Sequence, residues 1–155
     1  MAALRLLERR PHAEGELSLK LRRRGFEDEV IAATVERLES AGLLNDEKFA
    51  ENFVRYRLGS RPEGRMMLAS RLMARGVKRD LAETAVERAV PDEKEAVLAA
   101  EAARRFLARR AGAARASPDA RRRLANHLAR RGFRTSVVAK IVSGRFPSAD
   151  FQDED

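Results

Sequence analysis

The sequence predicts an all-α protein in which three tandem three-helix repeats form an elongated, curved array. Three stretches share two leucines four residues apart and, four residues later, a glycine with an apolar neighbour: Leu17 to Phe26, Leu68 to Val77 and Leu124 to Phe133. After each glycine, apolar or small residues return at helical spacing. Only 5% of the residues are aromatic, and no run of alternating β-branched residues occurs, which disfavours strands.

The repeats divide the 155 residues into four segments. The motif glycines lie 51 and then 56 residues apart, which suits three helices per repeat. Because units of this size rarely bury enough apolar surface to fold alone, we expect each repeat to stack on its neighbour. The predicted segments are repeat 1 at residues 1–44, repeat 2 at 45–91, repeat 3 at 92–147 and an acidic, disordered tail at 148–155.

Capping residues and glycines mark the predicted helix ends. Asn45, Asp92 and Thr135 are predicted N-caps, because short polar side chains accept hydrogen bonds from the first free N–H groups of a helix. Gly25 and Gly42 follow predicted helices where a left-handed residue is needed. The helix at residues 27–40 is expected to bury one face, made of Val30, Ile31, Val35 and Leu38.

Positive charge is concentrated in the third repeat. The chain has 32 basic and 24 acidic residues, a net charge of +8, and 27 of the bases are arginine. Residues 93–147 hold fourteen bases and four acids, whereas residues 1–44 hold eight of each. Arginine forms forked hydrogen bonds with phosphate and carboxylate, so this distribution favours an anionic partner. A GC-rich genome that replaces lysine by arginine is the alternative explanation.

No pattern indicates catalysis, a metal site or a membrane segment. The chain has no cysteine, which excludes disulfides, thiolate ligands and cysteine nucleophiles. His12 and His127, the only histidines, have no cysteine partner for a zinc site. No apolar run reaches membrane-spanning length, and the first ten residues lack a signal-peptide core. We expect a cytoplasmic monomer that is not an enzyme, uses no cofactor and has no membrane partner.

The candidate binding residues are arginines and one tyrosine. In the third repeat, arginines share one predicted helix and its exit, where several guanidinium groups would reach phosphates or an acidic surface together; a solvated helix face is the alternative. Tyr56 lies between two arginines and offers a ring for base stacking, although packing at the edge of a core is the commoner role. The run Arg22 to Arg24 precedes three acids and is expected to be solvated. The candidates are Arg121, Arg122, Arg123, Arg130, Arg131, Arg134, Arg55, Tyr56, Arg57 and Arg65.

The ordered motifs resemble those of the RecX family of bacterial regulators of the RecA recombinase. The flanking repeats match at Glu16 to Phe26 and at Leu128 to Phe133, and the similarity spans nearly the whole chain except its last eight residues. The chain departs from the family pattern at Arg65-Met66-Met67. The most distinctive stretch is in the second repeat: Leu43-Leu44-Asn45-Asp46, Phe49-Ala50, Phe53-Val54, Arg57, Gly64, Leu68, Leu72 and Gly76-Val77.

The resemblance implies a regulatory protein without chemistry of its own. RecX-like proteins consist of three tandem three-helix repeats, lie in the groove of the RecA nucleoprotein filament, and inhibit strand exchange, ATP hydrolysis and co-protease activity. We therefore expect this chain to bind the RecA filament, and single-stranded DNA directly or through the filament, in DNA repair, recombination and the SOS response. Two alternatives stay open: a sequence-nonspecific single- or double-stranded DNA-binding protein that acts without RecA, and a helical scaffold for other proteins.

Overall fold

The computed structural model describes residues 2–109 and 118–144, and the predicted acidic tail lies outside these ranges. Every element in the described ranges is helical, which confirms the all-α prediction. None of these helices has the length and apolar character needed to cross a bilayer. The helices are α1 (Ala2–Arg9), α2 (Glu14–Arg22), α3 (Asp28–Ser40), α4 (Asp46–Ser60), α5 (Arg65–Ala74), α6 (Arg79–Ala89), α7 (Asp92–Ala108), α8 (Pro118–Arg130) and α9 (Thr135–Val142).

The helices pack in three groups of three, each around its own apolar cluster. The most extensive helix–helix contacts all lie within the groups α1 to α3, α4 to α6 and α7 to α9. The leucine pairs of the repeated motif are the centres of the three clusters, as the helical spacing predicts. The expectation that a single repeat does not fold alone stays a prediction. The six buried motif leucines are Leu17, Leu21, Leu68, Leu72, Leu124 and Leu128.

One predicted N-cap is confirmed and two are wrong by one residue. The Asn45 side chain accepts a 2.8 Å hydrogen bond from the backbone N–H of Lys48 and caps α4. Asp92 and Thr135 are instead the first residues of α7 and α9. Pro91 holds the N-cap position of α7, and the carboxylate of Asp92 pairs instead with arginines.

The first repeat covers its third helix less completely than the other two repeats do. Val30 is 52% exposed, whereas Val137, which lies at the same distance from its motif glycine, is buried. Helix α1 has 8 residues, compared with 15 in α4 and 17 in α7, and its main contact is with α2. The prediction that Val30 belongs to the buried face is therefore wrong, whereas Ile31, Val35 and Leu38 are buried as predicted.

Neighbouring repeats meet at pairs of glycines. A Cβ atom placed on Gly64 would lie 2.2 Å from the carbonyl oxygen of Gly132, and one on Gly15 would lie 2.5 Å from that of Gly76. Gly76 and Gly132 follow α5 and α8 with φ of 88° and 78°, which favours glycine for a second reason. The start of the second helix in one repeat therefore abuts the end of the second helix in the next.

Backbone hydrogen bonds join the second and third repeats at this contact. The N–H of Gly64 donates to the carbonyl of Arg131 over 2.8 Å, and that of Met66 donates to the carbonyl of Gly132 over 3.0 Å. The first N–H groups and the last carbonyls of a helix have no partner within that helix. At this junction the free N–H groups at the start of α5 donate hydrogen bonds to the free carbonyls at the end of α8.

Replacing Gly64 by alanine should destabilise the protein by about 3 kcal/mol, because the new methyl group would meet backbone atoms that cannot rotate away. The matched control is Gly59→Ala in α4, where nothing lies within 4 Å of the new methyl group. This control should raise the free energy of unfolding by about 0.5 to 1 kcal/mol through helix propensity. Urea unfolding of both variants measures the difference, and equal stabilities would show that the glycine contact does not constrain the fold.

Candidate functional site

The candidate residues divide into an exposed group and a group engaged in internal contacts. Tyr56 is 76% exposed, so the expected packing at a core edge is not seen and its ring is available to a partner. Residues 57, 65, 131 and 134 are only partly exposed. The remaining candidates are exposed: Arg55, Arg121, Arg122, Arg123 and Arg130.

The exposed arginines of α8 carry more positive charge than their neighbours neutralise. Asp119 lies 3.4 Å from a guanidinium nitrogen of Arg122 and 3.9 Å from one of Arg123. Exposed pairs of this kind contribute about 0 to 1 kcal/mol, so they do not prevent binding elsewhere. The opposite face of the helix is buried through Leu124 and Leu128. The arginine run is therefore presented to solvent on a helix that is fixed to the third core.

Two other candidates, Arg65 and Arg134, converge on acids of α7. Glu95 is completely buried, and it accepts hydrogen bonds from the backbone N–H groups of both arginines over 3.3 Å and from Arg134 Nε over 2.5 Å. A carboxylate oxygen of Asp92 lies 2.8 Å from a guanidinium nitrogen of each arginine. A buried carboxylate is tolerated only with such partners. Arg65 thus holds the second repeat against the third, whereas Arg134 binds acids of its own repeat.

Arg57 and Arg131 are also held by internal partners. Arg57 pairs with the buried Glu63 over 2.5 Å. Arg131 donates to the carbonyl of Pro62 over 3.1 Å and to Nε2 of His127 over 3.2 Å. Sequence reasoning treated these arginines as contacts for a partner. Glu63 and His127 lie only six and four residues from them, whereas Pro62, 69 positions from Arg131, leaves no local signal. Their direct role in binding stays a prediction.

A partly buried acid also joins the first and second repeats. Glu16 pairs with Arg10, with Lys20 over 3.1 Å and with Arg75 over 3.3 Å. Burial acts to raise the pKa of Glu16, but the hydrogen bonds from Arg10 and Lys20 and the charge of Arg75 outweigh it and lower the pKa to about 2. Asp46 also joins these repeats, because it accepts a 2.8 Å hydrogen bond from the N–H of Glu14. Its pKa shifts in the opposite direction to that of Glu16, since burial raises the pKa of Asp46.

A cleft of about 800 Å³ lies between the second and third repeats. Sequence reasoning missed three arginines in its lining, Arg61, Arg105 and Arg109. The only local signal is the four-residue spacing of Arg105, on α7, and Arg109, which directly follows this helix. The rings of Phe106 and His127 face each other there, with centroids 4.5 Å apart. We call this space the inter-repeat cleft, and its lining residues are Ser60, Arg61, Pro62, Ala102, Arg105, Phe106, Arg109, His127 and Arg131.

Metal ligands are not grouped in the part of the chain that the structure describes. Residues 2–109 and 118–144 contain no set of three histidine, aspartate or glutamate side chains placed to hold an ion. The charged groups are instead arginines that either hold buried acids or face solvent. Fold and charge together define a tandem helical-repeat protein with buried ion pairs between its repeats and arginines on its surface.

Comparisons with known proteins identify the family. The family model described as the first three-helix domain of RecX matches residues 1–38, and the model of the second three-helix domain matches residues 45–86. The chain belongs to the RecX family. The regulatory protein RecX of Thermobifida fusca is 39% identical over 141 residues, which cover 90% of this chain and 74% of that protein. That of Chromohalobacter salexigens is 40% identical over 84% of this chain and 82% of its own length.

A solved structure shares the fold. The crystal structure of RecX from Lactobacillus salivarius matches with a TM-score of 0.80 over 92% of this chain and 91% of that chain, at 22% sequence identity. The likeness confirms the helical repeat array. Together with its relatives, it makes this chain a regulatory protein of the RecX type.

Replacing Glu95 by alanine should lower the free energy of unfolding by about 3 kcal/mol, because the partly buried Arg65 would lose a buried partner. Glu93→Ala, at an exposed position of the same helix, is the matched control and should change stability by less than about 0.5 kcal/mol. Chemical denaturation at neutral pH compares the two. A loss in the Glu95 variant no larger than in the control would contradict the role assigned to this carboxylate.

Glu16 should make the protein less stable in acid. Because folding lowers its pKa from 4.5 to about 2, its contribution to stability is complete above pH 4.5 and is lost as the pH falls toward 2. Glu16→Gln should therefore be less stable than the unmodified protein at pH 6 and lose less stability between pH 5 and pH 2.5. Urea midpoints across this range test the prediction, with the exposed Glu36→Gln as control. Parallel curves for the Glu16 variant and the unmodified protein would refute it.

Proposed function

We propose that this protein binds the RecA nucleoprotein filament and modulates RecA, mostly by inhibiting strand exchange, ATP hydrolysis and co-protease activity. The observation that carries the proposal is the match of both three-helix domains to the RecX family over residues 1–38 and 45–86. Regulation proceeds by binding alone, without a catalytic step or a cofactor.

The contacts between repeats support a binding mode that spans several RecA protomers. Glycine contacts join each repeat to the next, and the partly buried Glu16 and the buried Glu95 add ion pairs across the two junctions, so the spacing of surface groups on different repeats is constrained. A rigid array loses little conformational entropy when several of its repeats bind at once. A protein that contacts neighbouring protomers together can block filament extension or promote net loss of RecA.

The exposed arginines of α8 supply the attraction for an anionic surface. Residues 93–147 carry fourteen bases and four acids, and one of the acids is the buried Glu95. A positive field of this kind raises the local concentration of phosphates or acidic side chains within about 8 Å at physiological salt. The same charge also supports the second candidate function, direct DNA binding without RecA.

Adding the protein at concentrations below that of RecA should lower the DNA-dependent ATP hydrolysis of RecA. We expect this because one array that covers several protomers acts on more than one RecA molecule. A coupled ATPase assay on single-stranded DNA measures the effect across a titration. Unchanged hydrolysis at every ratio would count against the RecA proposal and favour direct DNA binding.

Changing Arg121, Arg122 and Arg123 together to alanine should weaken filament binding while leaving the fold intact, because all three are exposed. The salt dependence of binding should become flatter by about 0.7 log units for each phosphate of single-stranded DNA that the variant no longer neutralises.

The matched control removes Arg22, Arg23 and Arg24, which are also exposed but lie beside acids; Asp28 pairs with Arg22 over 2.7 Å. This control variant should weaken filament binding less than the α8 variant does, although both lose the same net charge. Anisotropy titrations of labelled filaments at several salt concentrations compare the two variants. Equal affinities and equal salt slopes would show that the third repeat does not set the electrostatic attraction.

A further inference from the structure

We propose that the inter-repeat cleft binds a phosphate-bearing ligand, supplied either by single-stranded nucleic acid or by a free nucleotide. The inference rests on the nucleic-acid part of the proposed function and assigns it to a site outside the exposed arginine run of α8. The volume of the cleft, about 800 Å³, is within the range of about 300 to 1,000 Å³ that is typical of small-molecule sites.

The first argument is the charge of the cleft. Its described lining contains four arginines and no carboxylate. Arg105 pairs with Glu101 on its own helix, but the side chains of Arg61 and Arg109 have no hydrogen bond or ion pair in the described part of the chain. Several unneutralised guanidinium groups in one concave space favour a ligand with more than one negative charge. Phosphate meets this requirement and accepts forked hydrogen bonds from arginine.

The second argument is that the cleft is preformed. Its two sides come from different repeats, and Arg131 connects them by donating to the carbonyl of Pro62 over 3.1 Å. The backbone hydrogen bond from Gly64 to Arg131 fixes the same contact over 2.8 Å. A ligand that enters a preformed site does not have to order the surrounding chain, which saves conformational entropy.

The third argument is the access that the cleft allows. Residues 60, 61, 105 and 109 are exposed, so the arginines meet solvent at the cleft mouth and a strand of nucleic acid can reach them. The paired rings of Phe106 and His127 give the inner wall a less polar part beside the charges. This combination of arginines with flat rings suits the phosphates of a nucleotide together with its less polar sugar and base.

The test compares two double variants in the absence of RecA. Arg61→Ala with Arg109→Ala removes the two arginines of the cleft that have no internal partner among the described residues. Arg24→Ala with Arg104→Ala removes two exposed arginines outside the cleft, with the same change in net charge and one of them on α7. The probes are a fluorescein-labelled oligothymidylate and a fluorescent ATP analogue, titrated by anisotropy at several NaCl concentrations, with helicity checked by circular dichroism.

The cleft variant should bind the oligothymidylate about tenfold more weakly than the control variant, since it cannot form the hydrogen bonds that charged groups donate to phosphate. Its salt slope should fall by about 1.4, or about 0.7 for each of two phosphates. Arg61→Lys with Arg109→Lys should keep the salt slope, because it keeps the charges. A defect in binding the ATP analogue alone would identify a free nucleotide as the ligand. Equal binding of both probes by the cleft and control variants would overturn the proposal.

Inhibition of RecA ATP hydrolysis is measured in parallel on the same proteins, so that the site and the proposed function can fail separately. If the unmodified protein does not inhibit RecA but its probe binding still depends on the cleft, the proposed function fails and the site stands. If inhibition occurs and probe binding does not depend on the cleft, the site fails and the proposed function stands.

Discussion

Three consecutive backbone N–H groups at the start of α5 are satisfied by the third repeat, and the rest of the arrangement depends on this contact. The backbones of Gly64 and Gly132 pack so closely that a Cβ atom on either would lie 2.2 Å from a backbone atom of the other repeat, so neither position accepts a side chain. One acceptor is a completely buried carboxylate, which in turn requires arginine partners. The donors are Gly64, Arg65 and Met66, and the acceptors are the carbonyls of Arg131 and Gly132 and the carboxylate of Glu95.

The arginines of this chain have two separable roles because burial changes the energy of an ion pair. Removing one partner of a buried pair costs about 3 to 5 kcal/mol, whereas an exposed pair contributes about 0 to 1 kcal/mol. Arg134, whose partner Glu95 is buried, therefore acts mainly on the packing of the third repeat. The exposed arginines of α8, such as Arg121, contribute little to the stability of the fold and are available to an anionic partner. The inter-repeat cleft combines both roles, since Arg131 fixes its walls while Arg61 and Arg109 stay unpaired within the described residues.

The same motif has different consequences at different places in the array. An arginine precedes the motif glycine in every repeat. Arg75 reaches back to Glu16, and Arg131 reaches back to Pro62, so each contacts the preceding repeat. Arg24, in the first repeat, makes no such contact within the described chain, and nothing there lies within 4 Å of a Cβ placed on Gly25. The motif therefore ends the second helix of its own repeat and, in the second and third repeats, also contacts the preceding repeat.

The sequence by itself determined the helices, their grouping in threes and the buried leucines, because helical periodicity and capping depend on residues within about four positions of each other. It also indicated the RecX family through three ordered motifs. The tertiary structure alone decided which arginines face solvent and which hold acids. Glu95 meets Arg65 and Arg134 from 30 and 39 positions away, and Arg131 meets Pro62 from 69. Pairings over such separations leave no local pattern. The pair of Glu95 with Arg134 exists only once the third repeat has folded, and the other two exist only once the repeats are stacked.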